Sequence, residues 1–488
     1  VKNQNNPTAP EMVMVLDNFQ RKLRQEAQLW RDEGIISASQ YEQISDRYQF
    51  KNLEAAARDR STMIAIATGG VLLCLGVITF VVANWEAWPR EVKFILMMSL
   101  FFSVSIIGFY TRQATFGKNE GKKSQRSKRL LGEALLIFGA FILGANIVLM
   151  AQIFNINGST TELFFAWGFG VLLMAYSLSL NSLGIMAIIL VQIGYWAGIG
   201  DLSYTFGYSG NWSWAKLALQ HMPLLSWLLF VPLAYFCRSR WIFALAAFSF
   251  ASSLVSNLDP LPLLNFANVA PWVASFAFAL PPALFWSYDD LLFPTINYRL
   301  FQPLARDLAL VAFGLVFYIL SFRWQWQGQS YSSYPPTTTS VFMSLPIIDL
   351  GILSGLAVLQ WLFLLRHRSN PPRREAVFST AIITTFLGFI AIVPFWHQAI
   401  TRIGDLGSFI FNVLLAVLAW GLIQEGLKLS DRRAFWGGML LLTLQIISRM
   451  LEYDTDLLFR SLVFIMCGSV LISAGLWFER RLAPVTKK

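Results

Sequence analysis

Residues 129–155 read RLLGEALLIFGAFILGANIVLMAQIFN. After Glu133 no charged side chain follows, and Asn146, Gln152 and Asn155 are the polar residues of an otherwise apolar run. A helix needs about 20 such residues to cross the hydrocarbon core of a bilayer. Lipid satisfies no backbone N–H or C=O, so a segment of this kind crosses as a helix that bonds to itself.

The same reading extends outward along the chain. Of 488 residues, 56% are hydrophobic and 14% charged, with a mean hydropathy of +0.53. A soluble domain carries about 25% charged residues, which sets aside a soluble globular, a disordered or a nucleic-acid-binding protein. Apolar runs lie near 62–83, 92–110, 131–151, 163–180, 182–199, 217–236, 241–257, 270–286, 307–322, 345–365, 376–393, 407–423, 435–448 and 457–478. The expected fold is an all-α integral membrane protein with about fourteen transmembrane helices across 62–478.

Loop charge tests that count, because cytoplasmic loops carry an excess of Lys and Arg. With the N-terminus inside, inner loops and tail after Thr62 hold twenty-two Lys/Arg and outer connections seven. Both termini are therefore expected in the cytoplasm, the chain ending in a basic tail over 479–488. The basic loop 111–130 is suited to anionic lipid headgroups. Trp85/Trp88, Trp212/Trp214, Trp324/Trp326 and Trp396 lie in or beside outer connections and read as an interfacial aromatic belt.

The first apolar stretch begins near Thr62, and no signal peptide is expected ahead of it. Residues 1–11 are expected to be disordered, and 12–61 to form a cytoplasmic amphipathic helical hairpin. Leu16, Phe19, Leu23, Ala27 and Trp30 fall on one helical face. Gly34 suits a helix stop because it adopts φ > 0 freely. Ser37 with Gln40 is a capping-box pattern, and Tyr41, Ile44 and Tyr48 form the second apolar face. So small a hairpin buries little core, so Trp30, Tyr41, Ile44 and Tyr48 are candidates for docking a protein partner of residues 12–60. Over residues 1–60 charges balance at nine of each sign, which argues against nucleic acid.

The stretch Trp30-x-x-x-Gly34-x-Ile36-Ser37-x-x-Gln40-Tyr41 resembles the N-terminal signature of a bacterial membrane-protein family, domain of unknown function twenty-one fifty-seven. Asn84-Trp85-Glu86, Gly132-Glu133-Ala134-Leu135-Leu136, Gln152-Ile153-Phe154-Asn155-Ile156 and Trp167 are similar to it as well. Together they cover roughly 12–170, with a weaker likeness over Arg449–Arg481. Where the family shows Gly-Asp after the Gln motif, this chain has Gly158-Ser159. The resemblance implies a multi-pass helical protein and carries no established activity.

Ionisable groups inside a membrane are costly and mark function by default. Glu133, four residues from Arg129, and Asp349, one turn inside its run, are the nearest candidates. Asn146, Gln192, Asn412 and Gln445 lie deeper, where amides bond across helix interfaces. Gln152 and Asn155 close the third run at its outer end. Glu133, Asn146, Gln152, Asn155, Asp349 and Gln445 are therefore the candidate polar or substrate contacts. Gly194-x-x-x-Gly198 and Gly351-x-x-x-Gly355 suit close helix contact.

Three Cys and three His give neither a disulfide framework nor a metal-ligand spacing. No nucleophile–base pair is legible, so no catalytic residue and no cofactor is expected. The function expected is transporter- or flippase-like handling of a lipid or small uncharged or zwitterionic solute. The alternative is a membrane scaffold or assembly factor that recruits a partner through the hairpin.

Overall fold

The structure is a computed structural model that describes residues 26–47, 88–113, 122–205, 214–264, 271–290, 300–327, 347–366, 374–453 and 456–482, with positions 23, 68, 72, 79 and 83. Residues 1–11, most of the run 62–83, Tyr48, Trp85, Trp212, the centre of the basic loop and the tail beyond Leu482 lie outside the described residues. The chain divides into two compact units, Val1–Leu96 with Leu482–Lys488 and Met97–Arg481.

In the first unit, residues 26–32 are helical and stop at Gly34, whose φ is +75°. The Ile35 amide donates to Trp30 O at 2.8 Å and the Gly34 amide to Arg31 O at 3.1 Å, the paired bonds of a helix that ends on a left-handed residue. Helix α1 (Ala38–Arg47) then opens on the expected box. The Gln40 amide donates to Ser37 Oγ at 3.3 Å, and the Ser37 amide to Gln40 Oε1 at 2.8 Å. The Arg31 guanidinium stands 5.0 Å from the centre of the Tyr41 ring. Ala27 is buried, and Trp30, Tyr41 and Ile44 are half-buried.

The remaining helices are α2 (Arg90–Gln113), α3 (Lys122–Ile153), α4 (Thr160–Leu178), α5 (Asn181–Thr205), α6 (Trp214–Gln220), α7 (Met222–Cys237) and α8 (Arg240–Leu258). After them come α9 (Pro271–Ser287), α10 (Gln302–Leu320), α11 (Ile347–Arg366), α12 (Arg374–Ala399), α13 (Asp405–Leu429), α14 (Arg432–Glu452) and α15 (Leu457–Leu482). Among the described residues ten helices are long and apolar enough to cross a membrane, or eleven if the bent pair α6 and α7 is one span. That falls short of the expected fourteen for three reasons. The run near 270–286 folds as a helix of 17 residues. The apolar part of α11, Ile348–Leu364, is equally short. The run 62–83 is outside the described residues.

Small residues set the closest helix contacts. A Cβ on Gly438 would stand 2.6 Å from Ala419 O, so α13 and α14 touch backbone to backbone. Gly194 and Gly198 of α5 instead make room for the side chains of Phe165 and Thr161 of α4. The pattern at Gly351 and Gly355 does no such work, since nothing lies within 4 Å of a Cβ built on either. Side chains such as Leu458 (78% exposed) and Ile465 (70%) on α15 stay open, as a lipid-facing helix requires.

One Trp of the expected belt is misassigned. Trp326 is buried, stacks on Phe411 and donates from Nε1 to Leu320 O at 2.7 Å. The 3-10 turn Arg323–Gln325 folds its ring back onto the end of α10, away from any interface. Trp214, Trp324 and Trp396 are exposed.

Candidate functional site

The run 217–236 contains two prolines, Pro223 and Pro232. Pro223 has no N–H and its ring crowds the carbonyl four residues back, that of Leu219. The helix breaks there: α6 and α7 meet at His221 with a bend of 79°. The second proline follows a π-helical turn, Ser226–Phe230, of the kind that re-pairs backbone groups around a proline in a membrane helix.

A break leaves carbonyls without helical partners, and α8 supplies a replacement. Asn257 Nδ2 donates to Leu219 O at 3.0 Å and to Gln220 O at 2.9 Å. Its Oδ1 accepts from the Tyr195 hydroxyl of α5 at 2.8 Å. Further along, Ser226 Oγ and Ser249 Oγ lie 2.7 Å apart, and Gln192 Nε2 also donates to Ser249 Oγ. Ser249, Ser253 and Asn257 recur every fourth residue and so share one face of α8. Tyr195, Ser226, Ser249 and Ser253 are fully buried. Asp259, just past the end of α8, has its carboxyl pushed above the ordinary range by burial.

The break also carries charge chemistry. Asp349, in the first turn of α11, is fully buried, and its Oδ1 lies 2.7 Å from His221 Nδ1. Its second oxygen, Oδ2, is buried with no hydrogen-bond partner. The His221 side chain is 27% exposed, so the pair runs from an accessible imidazole to an inaccessible carboxylate. Asp349 and Gln360 are eleven residues apart on α11, hence within ~20° on one face and about 16 Å apart along the axis. Gln360 lines a cavity of about 30 Å³ with Trp227 and Val231 of α7, Phe243 and Phe250 of α8, and Tyr288. That is room for about one water. Gln360 Oε1 accepts from Ser287 Oγ at 2.9 Å.

The other residues expected to act lie elsewhere. Glu133 accepts from Arg129 at 3.2 Å as an exposed i,i+4 pair. Asn146 is buried and donates to Met97 O at 3.1 Å, joining α3 to α2. Gln445 donates to Asn412 O at 2.8 Å, joining α14 to α13. Gln152 and Asn155 are exposed. Asn155 has φ +50°, and the Ile156 amide donates to Ala151 O at 2.8 Å, so Asn155 ends α3 as Gly34 ends the first helix.

Of the six polar candidates, Asp349 is the one at the break. Sequence reasoning passed over His221, Tyr195 and Asn257. Two signals were present: a proline two residues after a histidine inside an apolar run, and the Ser249-Ser253-Asn257 spacing.

A chain of ten or more apolar spans, one of them broken around buried polar groups, is a multi-pass α-helical membrane protein. Residues 28–184 match the family described as predicted membrane protein, DUF2157, which is the family whose signature the N-terminal residues resemble. No curated protein and no solved structure matches the chain.

Proposed function

We propose that the chain moves a lipid or a small uncharged or zwitterionic solute across the bacterial inner membrane, in the manner of a transporter or flippase. In this reading the chain spans the membrane fourteen times with both termini in the cytoplasm, and it makes or breaks no covalent bond. The observation that carries the reading is the break at His221, where α6 and α7 turn by 79° beside a buried carboxylate. Broken helices at membrane depth persist where they are buried in protein or line a water-filled cavity, and in transporters such breaks hold the cargo and coupling-ion sites. Amide and hydroxyl groups at the break offer donors and acceptors to a solute without net charge. Gln360, on the same face of α11 as Asp349, lines the small cavity about 16 Å further along the helix.

Two vesicle assays test this on the purified full chain. Dithionite quenching of a fluorescent phosphatidylcholine reports lipid flip, and a panel of zwitterionic amino acids and betaines is screened for uptake. Accelerated movement of one probe, lost in Asn257→Ala, is the expected result. No movement of any probe above protein-free vesicles overturns the reading.

A second reading, a scaffold recruiting a partner through residues 12–60, is favoured by Leu29 and Ile35, which are 53% and 65% exposed at the N-terminal turn. Crosslinking in cells that returns one protein, and loses it on Trp30→Ala, is its expected signature.

A further inference from the structure

We infer that His221 and Asp349 form a proton-binding site that couples the broken helix to proton movement across the membrane. The inference rests on the transport reading for its purpose, and on the geometry of the pair for its chemistry. Asp349 has no exposed surface, and His221 Nδ1 at 2.7 Å is its one bonded neighbour among the described residues.

Charge counting fixes what such a pair holds. An isolated ionised group in an apolar interior is far costlier than a neutral or paired one. Two arrangements of the pair are net neutral: imidazolium with carboxylate, and imidazole with carboxylic acid. Both contain one shared proton. Removing it leaves a bare carboxylate beside the break, and adding a second leaves a bare imidazolium. The pair therefore loads and releases one proton at a time.

The surroundings offer little competition for that charge. Beyond the pair, α6 carries Lys216, α8 carries Arg240 at its start, and Asp259 follows its end. On α7, Tyr235 and Cys237 sit at the far end, and α11 has Arg366 at its own far end. The helix α9, packed on α11, carries no titratable side chain; α4, packed on α6, carries Glu162 in its first turn and Tyr176 near its end, and α5, packed on α6 and α8, carries Tyr195, Asp201 and Tyr204. Among the described side chains none of these bonds to His221 or Asp349.

The route is set by exposure. His221 is 27% exposed and Asp349 not at all. An incoming proton binds Nε2 of the imidazole, the Nδ1 proton passes to Asp349 Oδ1, and the pair ends as neutral imidazole and carboxylic acid. The reverse sequence releases it. The unloaded carboxylate, with Oδ2 unpartnered, draws water between α11 and the break. Proton occupancy and opening of the path are thus linked at one contact.

The test needs no identified solute. The full chain, labelled with 15N-histidine and held in nanodiscs, is titrated by NMR from about pH 5 to about pH 9, the range in which imidazole exchanges its proton. The signal missing in His221→Gln is that of His221. Its protonation is expected to follow pH in the native chain and to do so over a different range in Asp349→Asn, where the neighbouring carboxylate is gone. Should that variant fail to fold, Asp349→Glu keeps the carboxylate and is expected to retain the titration. A His221 signal that holds one protonation state throughout, or an unchanged midpoint in Asp349→Asn, overturns the inference, as does a lost titration in Asp349→Glu. Flux with no proton movement in vesicles loaded with a pH dye also overturns it while leaving transport standing. An intact titration with no flux of any probe retires the transport reading alone.

Discussion

Replacing Asn257 by Ala removes the side chain that holds the break together. Three hydrogen bonds go with it: to Leu219 O at 3.0 Å, to Gln220 O at 2.9 Å and from Tyr195 at 2.8 Å. Side-chain bonds between membrane helices average about 0.6 kcal/mol each, since the unfolded chain in lipid also finds partners. Three of them give about 2 kcal/mol. A buried polar group left wholly unpaired costs about 1–3 kcal/mol, so the loss lies towards the upper part of that range if no water enters. Tyr195→Phe removes the bond to Asn257 and the weaker one to Ser253 O at 3.2 Å, and costs about 1 kcal/mol by the same measure. The two variants share a bond, so the double variant is expected to lose less than their sum. Unfolding in detergent gives the energies, and amide exchange at residues 219–225 locates the loosening. A change below about 0.5 kcal/mol in Asn257→Ala, the usual span of an inert surface substitution, would falsify the claim that α8 caps the break. So would a larger loss in Tyr195→Phe.

Three further outcomes are expected. A reporter active only outside the cytoplasm stays silent when fused after Lys128, Arg374 or Lys488 and is active after Ser330; activity at the C-terminus implies an odd number of spans and rejects the fourteen-span arrangement. Gly438→Ala forces a methyl to within 2.6 Å of Ala419 O, and overpacking of that kind costs about 1–3 kcal/mol. Gly355→Ala meets nothing within 4 Å and is expected to be neutral or to stabilise α11 by about 0.5–1 kcal/mol; equal melting temperatures for the two variants refute the packing argument. Trp30→Ala removes a half-buried ring, worth some fraction of the roughly 1.5–3 kcal/mol of a fully buried large apolar side chain, and is expected to speed proteolysis of residues 12–60 while insertion proceeds normally. Unchanged resistance to protease counts against a packed hairpin.

What could be read in advance was local. Gly34 stops a helix, and Ser37 with Gln40 starts one, because the groups that pair lie within a few residues of each other. Apolar runs were visible for the same reason, and each described one coincides with a helix or a broken pair. The His221–Asp349 contact was not, since 128 residues separate the partners. His221 has no ligand at helical spacing, and Asp349 stands out as a buried candidate without showing its partner. Trp326 was misread because its place between two apolar runs suggests an interface, while one short turn returns the ring to the core. Gly351-x-x-x-Gly355 failed for the complementary reason. The motif permits close approach, but a neighbour must arrive to use it, and none does.

A second polar cluster shows how the buried polar groups of the broken span differ from those of a helix-end clamp. At the end of α10 the Ser321 carbonyl accepts three bonds: from Ser408 Oγ at 2.8 Å, Asn412 Nδ2 at 2.9 Å and Arg449 Nη1 at 2.7 Å. Arg449 pairs with Glu452 and lies 4.2 Å over the Phe322 ring, while Arg323 grips Asp405 through two bonds of 2.6 and 2.9 Å. Here the carbonyls belong to a helix that has ended, and the helices supplying the donors, α13 and α14, run unbroken. Such a cluster ties three helix ends together. Its charges are guanidinium and carboxylate, matched in number, and neither type ordinarily changes charge near neutral pH. Both clusters hold buried polar atoms without a partner, Arg449 Nε and Nη2 in the one and Asp349 Oδ2 in the other, but the break in α6 and α7 differs in where its carbonyls arise and in which groups carry its charge. Its free carbonyls arise within a span, and its buried carboxylate has one oxygen without a donor. Its partner is an imidazole, the side chain whose ordinary pKa falls near neutrality. A clamp needs fixed charges; on the transport reading proposed above, a path that opens and closes needs one that comes and goes, and an imidazole beside a buried carboxylate is the pair that would supply it.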